Sequence, residues 1–187
     1  MKYESNAVKA WAGDSQWKAC QADISRYRTL GYGSEAYWAL GTLVLYRLQK
    51  VVRNRRRRWA WAPVQLMLVV ANHLFVMVTQ IRIHPSAEIG PGLLLPHVGP
   101  IRVHGATRIG ADCVILHSCT IGAGPHPGGA TIGDHVFIGC NSSIIGAVTI
   151  GDRATISANS LVISNVPTGT TAIGVPARIL PELPRKI

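Results

Sequence analysis

Along residues 83 to 166 an aliphatic residue returns every six positions. The series runs Ile83, Ile89 and Leu95, then Val103, Ile109, Ile115 and Ile121, then Ile132, Ile138, Ile144, Ile150, Ile156 and Val162. Neither the helical period of about 3.6 residues nor the two-residue alternation of a strand produces this spacing. A fixed hexapeptide period predicts a parallel β-helix, in which each hexapeptide forms one short side of a coil and stacked coils share a continuous core. Four places after each start lies a second column of mostly small or β-branched residues: Ala87, Thr107, Cys113, Cys119, Val136, Ser142, Val148, Ala154, Ser160 and Val166. These fill the narrow interior beside the aliphatic stack. Glycine one place after many starts, as at Gly90, Gly110, Gly133 and Gly139, reads as provision for a tight corner.

The register slips twice, and each slip carries a histidine. Leu95 and Val103 are eight residues apart and enclose Pro96-His97; Ile121 and Ile132 are eleven apart and enclose GPHPGGA with His126. Insertions in a solenoid project from one face and often build its binding site, so His97 and His126 are the first candidates for chemistry. With three hexapeptides per coil, the starts Leu95, Ile115, Ile138 and Ile156 stack. Two places after each sit His97, His117, Cys140 and Ala158, an outward line of decreasing bulk leading away from His97. His84, His104 and His135 lie near repeat starts on other faces and read as ordinary surface residues.

Before the repeats the pattern is helical, with segments from about Asp14 to Thr29, from Glu35 to Arg53 behind a Ser34 cap, and from Pro63 to Thr79. The third is apolar but contains Asn72 and His73, and reads as a helix packed on the β-helix or on a neighbouring subunit. Between the second and third lies the run Arg55, Arg56, Arg57, Arg58, followed by Trp59-Ala60-Trp61. It reads as a solvated turn, with peripheral membrane contact as the other reading. After Val166 the period stops, and Pro167, Pro176, Pro181 and Pro184 predict a closing tail without further regular coils. The expected organisation is a small α-helical N-terminal domain (1–80), a left-handed parallel β-helix (81–166) and a C-terminal tail (167–187).

The formal charge is +10 over 187 residues, which favours anionic partners. Aromatic residues are few and no nucleic-acid module is present, so nucleic acid is not expected among them. Cys20, Cys113, Cys119 and Cys140 show no CxxC pair, and the N-terminal stretch lacks the apolar run of a signal peptide. A cytoplasmic location is the expectation.

The segments LVLYRLQKVVRNRR, IHPSAEIGPGLLLPH, IGDHVFIG and NVPTGTTAIGVPARI together resemble the serine O-acetyltransferase family of hexapeptide-repeat acyltransferases. The resemblance implies a left-handed β-helix, a homotrimer with sites between subunits, and acetyl transfer from acetyl-CoA as co-substrate, with no metal. It places the catalytic histidine at His97, a second active-site histidine at His126, and small cofactor-lining residues at Cys140 and Ala158. His117 and Arg82 are expected at the acceptor.

Family members acting on free serine carry an aspartate where this chain has Arg82, another where it has Pro96, and a third near Gly31. These losses count against free serine and the overall likeness counts for it, so the expected acceptor is a hydroxyl of serine or a serine-like small molecule, with a sugar hydroxyl of a capsule or exopolysaccharide as the alternative. A hydroxyl needs a general base to attack a thioester, and a neutral histidine serves near pH 7. Two further readings compete: a trimeric zinc enzyme of the gamma carbonic anhydrase type, using His97, His117 and His126 from neighbouring subunits, and a non-catalytic scaffold that does not bind acetyl-CoA.

Overall fold

The computed structural model describes residues 13–31, 33–53 and 58–180. Three helices, α1 (Gly13–Leu30), α2 (Ser34–Arg53) and α3 (Ala62–Thr79), precede a β-solenoid, with a short 3-10 turn at Arg58–Trp61 before α3. Arg55, Arg56 and Arg57 of the basic run, and Pro181 and Pro184 of the tail, lie outside the described residues.

The strands, numbered in chain order, form three faces. The first stacks β1 (Ile81–Ile83), β3 (Ile101–Val103), β6 (Thr120–Gly122), β9 (Ser143–Ile145) and β12 (Leu161–Val162). The second stacks β2 (Glu88–Ile89), β4 (Arg108–Ile109), β7 (Thr131–Ile132) and β10 (Thr149–Ile150). The third stacks β5 (Val114–Ile115), β8 (Phe137–Ile138), β11 (Thr155–Ile156), β13 (Thr171–Ile173) and β14 (Arg178–Leu180). All pairings are parallel except β13 with β14.

Both sequence columns point inward. Ile109, Ile115, Ile132, Ile138, Ile144 and Ile156 are fully buried, as are Ala87, Cys113, Val136, Ser142 and Ala154. Burial pushes the Cys113 thiol up to about 12, as expected of a core cysteine and not a reactive one.

The corner glycines serve a different purpose from the one their positions suggested. The left-handed backbone lies two places later, at Asp112, Ser118, His135, Asn141, Arg153 and Asn159, with φ between 55° and 61°. The glycines one place after the starts allow close approach of the next coil instead. A Cβ on Gly110 would lie 2.6 Å from the carbonyl carbon of Gly133, and one on Gly139 would lie 2.5 Å from the nitrogen of Ala158.

The prolines of the tail do not end the winding. Val166 bridges Ile150 in parallel, and β13 continues the third face on β11 before β14 turns back along its edge. Pro167 and Pro176 fall between these pairings, where no ladder N–H is required.

At the other end, α1 and α2 cover the first coil. Arg47, on the apolar stripe of α2, is 1% exposed. Its Nε donates to Asp23 Oδ2 (3.1 Å), Nη1 to Gln16 Oε1 (3.2 Å), and Nη1 and Nη2 to the carbonyls of Ile89 (2.5 Å) and Gly90 (2.6 Å). Tyr46 Oη donates to the Ala87 carbonyl at 2.6 Å, and Lys50 Nζ donates to the same oxygen. α3 packs along α2, where Gly41 leaves room for Phe75, Thr42 meets Thr79 and Gln49 Nε2 donates to the Leu68 carbonyl. Its outer face, with Leu66, Met67, Val70, Leu74, Met77 and Val78, is exposed. Among the described residues α3 is the one helix long and apolar enough to cross a membrane.

Burial holds the Lys50 amine down to about 8. Between that value and an unfolded-chain value of about 10.4, the unfolded chain retains a proton the folded chain has released, so stability rises with pH across this window. Lys50→Met keeps the Ala87 carbonyl paired to Tyr46. Thermal unfolding is expected to show the variant roughly 2–4 °C more stable at pH 7, with the rise between pH 8 and 10 abolished.

Candidate active site

The corner between the third and first faces carries the column read from the sequence. The Asn141 N–H donates to the His117 carbonyl (3.1 Å) and the Asn159 N–H to the Cys140 carbonyl (2.9 Å), so His117, Cys140 and Ala158 occupy equivalent places on successive coils. Beside them Asn141 Nδ2 donates to Asn159 Oδ1 at 2.7 Å. The His97 and His117 rings stand edge to face, their centroids 5.9 Å apart. His97, His117 and Ala158 are exposed and Cys140 is half-buried, which leaves an open groove running from the histidines along small side chains.

His97 follows a buried segment that the helices hold at several points. Leu93, Leu94 and Leu95 are at most 2% exposed. The Leu93 N–H donates to Asp23 Oδ1 (3.0 Å), and Tyr27 Oη both accepts from the Leu95 N–H (2.8 Å) and donates to the Leu95 carbonyl (3.1 Å). Arg26 Nη1 donates to the Gly92 carbonyl and, at 3.2 Å, to that of Cys113. Beyond His97, the Gly99 N–H donates to the Thr79 carbonyl (2.9 Å). Gly99 has φ +141°, and a Cβ there would meet His117 Cβ at 3.0 Å. A larger residue would therefore press the two histidine-bearing loops apart.

A carboxylate stands beside His97. Glu35, in the first turn of α2, places Oε2 3.8 Å from His97 Nδ1. An acidic side chain is favoured at a helix N-terminus by the macrodipole. The contact is longer than a hydrogen bond, and both side chains are more than half exposed. A carboxylate that hydrogen-bonds Nδ1 can orient such a ring and leave Nε2 for an incoming hydroxyl. Arg82 and Pro96 offer no carboxylate, and among the described residues Glu35 is the one that approaches His97.

The other candidates lie elsewhere within the chain. His126 is exposed in the loop between β6 and β7, at the corner joining the first face to the second, so the whole first face separates it from the corner of His97. Arg82 is at the centre of β1 and lines a cleft with α3 that His97 does not border. Within one chain His97 and His117 of the zinc set share a corner and His126 lies at another. Among the described residues no three His, Cys, Asp or Glu side chains converge on a common metal position.

Sequence reasoning missed Glu35, Tyr27 and the Asp23–Arg47 pair. Glu35 read only as the first residue of the second helical segment. Arg47 and Lys50 did carry a signal, since both lie on the stripe of Ala36, Ala39, Leu43 and Tyr46 that faces the core.

A solenoid of hexapeptide coils with a histidine heading a corner groove of small residues defines a hexapeptide-repeat transferase. In agreement, residues 129–164 match the family described as bacterial transferase hexapeptide (six repeats). The serine acetyltransferase of Helicobacter pylori is 33% identical over 150 residues, which cover 77% of this chain and 82% of that protein. Soybean serine acetyltransferase complexed with serine superposes with a TM-score of 0.74 at 30% identity, covering 89% of this chain and 70% of that one. A serine acetyltransferase complex with CoA gives 0.73 at 28% identity, covering 89% and 70%. The chain belongs to the serine acetyltransferase family of acetyl-CoA-dependent acyltransferases.

Tyr27→Phe removes the one group that satisfies both the N–H and the carbonyl of Leu95, two residues before His97. Leaving these buried groups unpaired costs roughly 1–3 kcal/mol. Thermal unfolding is expected to show that loss, and the rate of CoA release from acetyl-CoA with serine is expected to fall with it. Unchanged stability and rate would remove Tyr27 from the support of His97.

Proposed function

We propose that this chain transfers the acetyl group of acetyl-CoA to the hydroxyl of L-serine, with His97 as general base and Glu35 as its positioning carboxylate. The observation that carries this reading is the meeting of His97 and Glu35 at the head of a groove whose next residues are His117, Cys140 and Ala158. Small side chains there leave space for an extended thioester arm. In the proposed reaction His97 Nε2 takes the serine hydroxyl proton as the oxygen attacks the thioester carbonyl. The tetrahedral intermediate then collapses, breaking the C–S bond, and the imidazolium returns the proton to the departing thiolate. Glu35 holds the ring and offsets its transient positive charge.

We also propose a homotrimer in which the His126 corner of one copy closes over the His97 corner of the next. The separation of these two corners across the first face supports an arrangement between copies.

The test is steady-state CoA release with acetyl-CoA and L-serine. His97→Ala is expected to lower kcat by about 10²- to 10⁴-fold while acetyl-CoA still binds. Glu35→Gln is expected to lower kcat by about tenfold with little change in either KM, since it loses orientation and not binding. A mixture of His97→Ala and His126→Ala chains, refolded together, is expected to recover part of the activity. Full activity in His97→Ala would overturn the base assignment. Full activity in Glu35→Gln would remove only the positioning role, and no recovery in the mixture would place the two histidines in separate functions.

A further inference from the structure

The cleft between α3 and the outer surface of the first face is a second place where chemistry collects. It encloses about 620 Å³. Its apolar wall on the α3 side includes Val76 and Met77, and its polar groups are Asn72, His73, Arg82, His84, Arg102, His104 and Thr120. None of its lining residues is acidic, and none belongs to the groove of His97, His117, Cys140 and Ala158.

Arg82 and Arg102 are direct parallel partners on adjacent strands, so their side chains leave the same surface about 4.8 Å apart. Like charges placed opposite each other in this way are unfavourable. At the matching place on the second face the fold does the reverse. Glu88 is the direct partner of Arg108, and their side chains pair at 3.2 Å. The ion pairs of the described residues leave Arg82 and Arg102 without a carboxylate.

The two histidines at the cleft edge repeat one local bond. The Ser86 N–H donates to His84 Nδ1 (3.1 Å) and the Ala106 N–H donates to His104 Nδ1 (3.3 Å). Only an unprotonated Nδ1 accepts such a bond, so each ring carries its proton on Nε2, as a donor. Both rings line the cleft, and this local bond leaves the Nε2 edge of each uncommitted.

We infer that this cleft binds a phosphate group. Two guanidiniums rising from paired positions on adjacent strands match a dianion in charge and hydrogen-bond capacity, and their mutual repulsion is relieved when the dianion sits between them. The His84 and His104 Nε2–H groups supply further donors. The volume exceeds that of inorganic phosphate, and the α3 side of the cleft, with Val76 and Met77, accommodates an apolar or sugar portion. The ligand is a phosphorylated molecule, either a soluble phosphate ester or a phospholipid headgroup.

Calorimetric titration of the full chain with inorganic pyrophosphate tests the soluble source. Co-sedimentation with phosphatidylcholine vesicles, with and without phosphatidic acid, tests the lipid source. Whichever probe binds, Arg82→Gln with Arg102→Gln is expected to weaken it by about tenfold or more, whereas Arg108→Gln leaves it unchanged. Both altered positions are exposed, and circular dichroism verifies that the variants fold. Binding of neither probe, equal binding by the double variant, or an equal loss in Arg108→Gln would overturn the site. Displacement of the probe by acetyl-CoA would likewise overturn it, by merging the cleft with the donor site. None of these outcomes depends on whether His97 is the base.

Discussion

The arrangement of the site depends on one buried ion pair. Asp23 and Arg47, at 0% and 1% exposure, join α1 and α2 to each other and to the first coil. Burial pushes the Asp23 carboxyl up, and Arg47 with the backbone N–H groups of Gly92 and Leu93 pulls it back. Such a pair contributes little net stability compared with an apolar replacement, but removing one partner costs about 3–5 kcal/mol because it strands a buried charge. Its value here is geometric. Arg47 reads the carbonyls of Ile89 and Gly90, and Asp23 reads the N–H of Leu93, so the helices dock at a single register on the coil.

That register sets the chemistry. α1 presents Tyr27 to Leu95, which holds the backbone two residues before His97. α2 starts with Glu35 beside the His97 ring. The coils supply the rest, because six-residue sides place His117, Cys140 and Ala158 along one corner. The helical layer and the solenoid thus bring Glu35, Tyr27 and His97 together only where they meet.

How much of this was legible follows from how local each feature is. The two buried columns recur every six residues and are written directly in the chain. The outward line of His97, His117, Cys140 and Ala158 follows from the same period. The corners were harder, since residues as different as Asp112, His135 and Arg153 share a left-handed backbone, and composition does not mark the place. Glu35 and His97 are brought together only by the docking of α2, which no periodicity encodes. The Arg82–Arg102 stack is a matter of register between coils, and single residues do not reveal it until the strands are aligned.

The central claim is acetyl transfer from acetyl-CoA to serine at the His97 corner, and its most direct test is identification of the product. Wild-type chain is incubated with acetyl-CoA and L-serine, and the mixture is resolved by mass spectrometry. The account predicts O-acetylserine and free CoA in equal amounts, both absent when His97 is replaced by alanine. Free CoA appearing at the same rate without serine, or an acetylated product that persists in the His97→Ala chain, would contradict it.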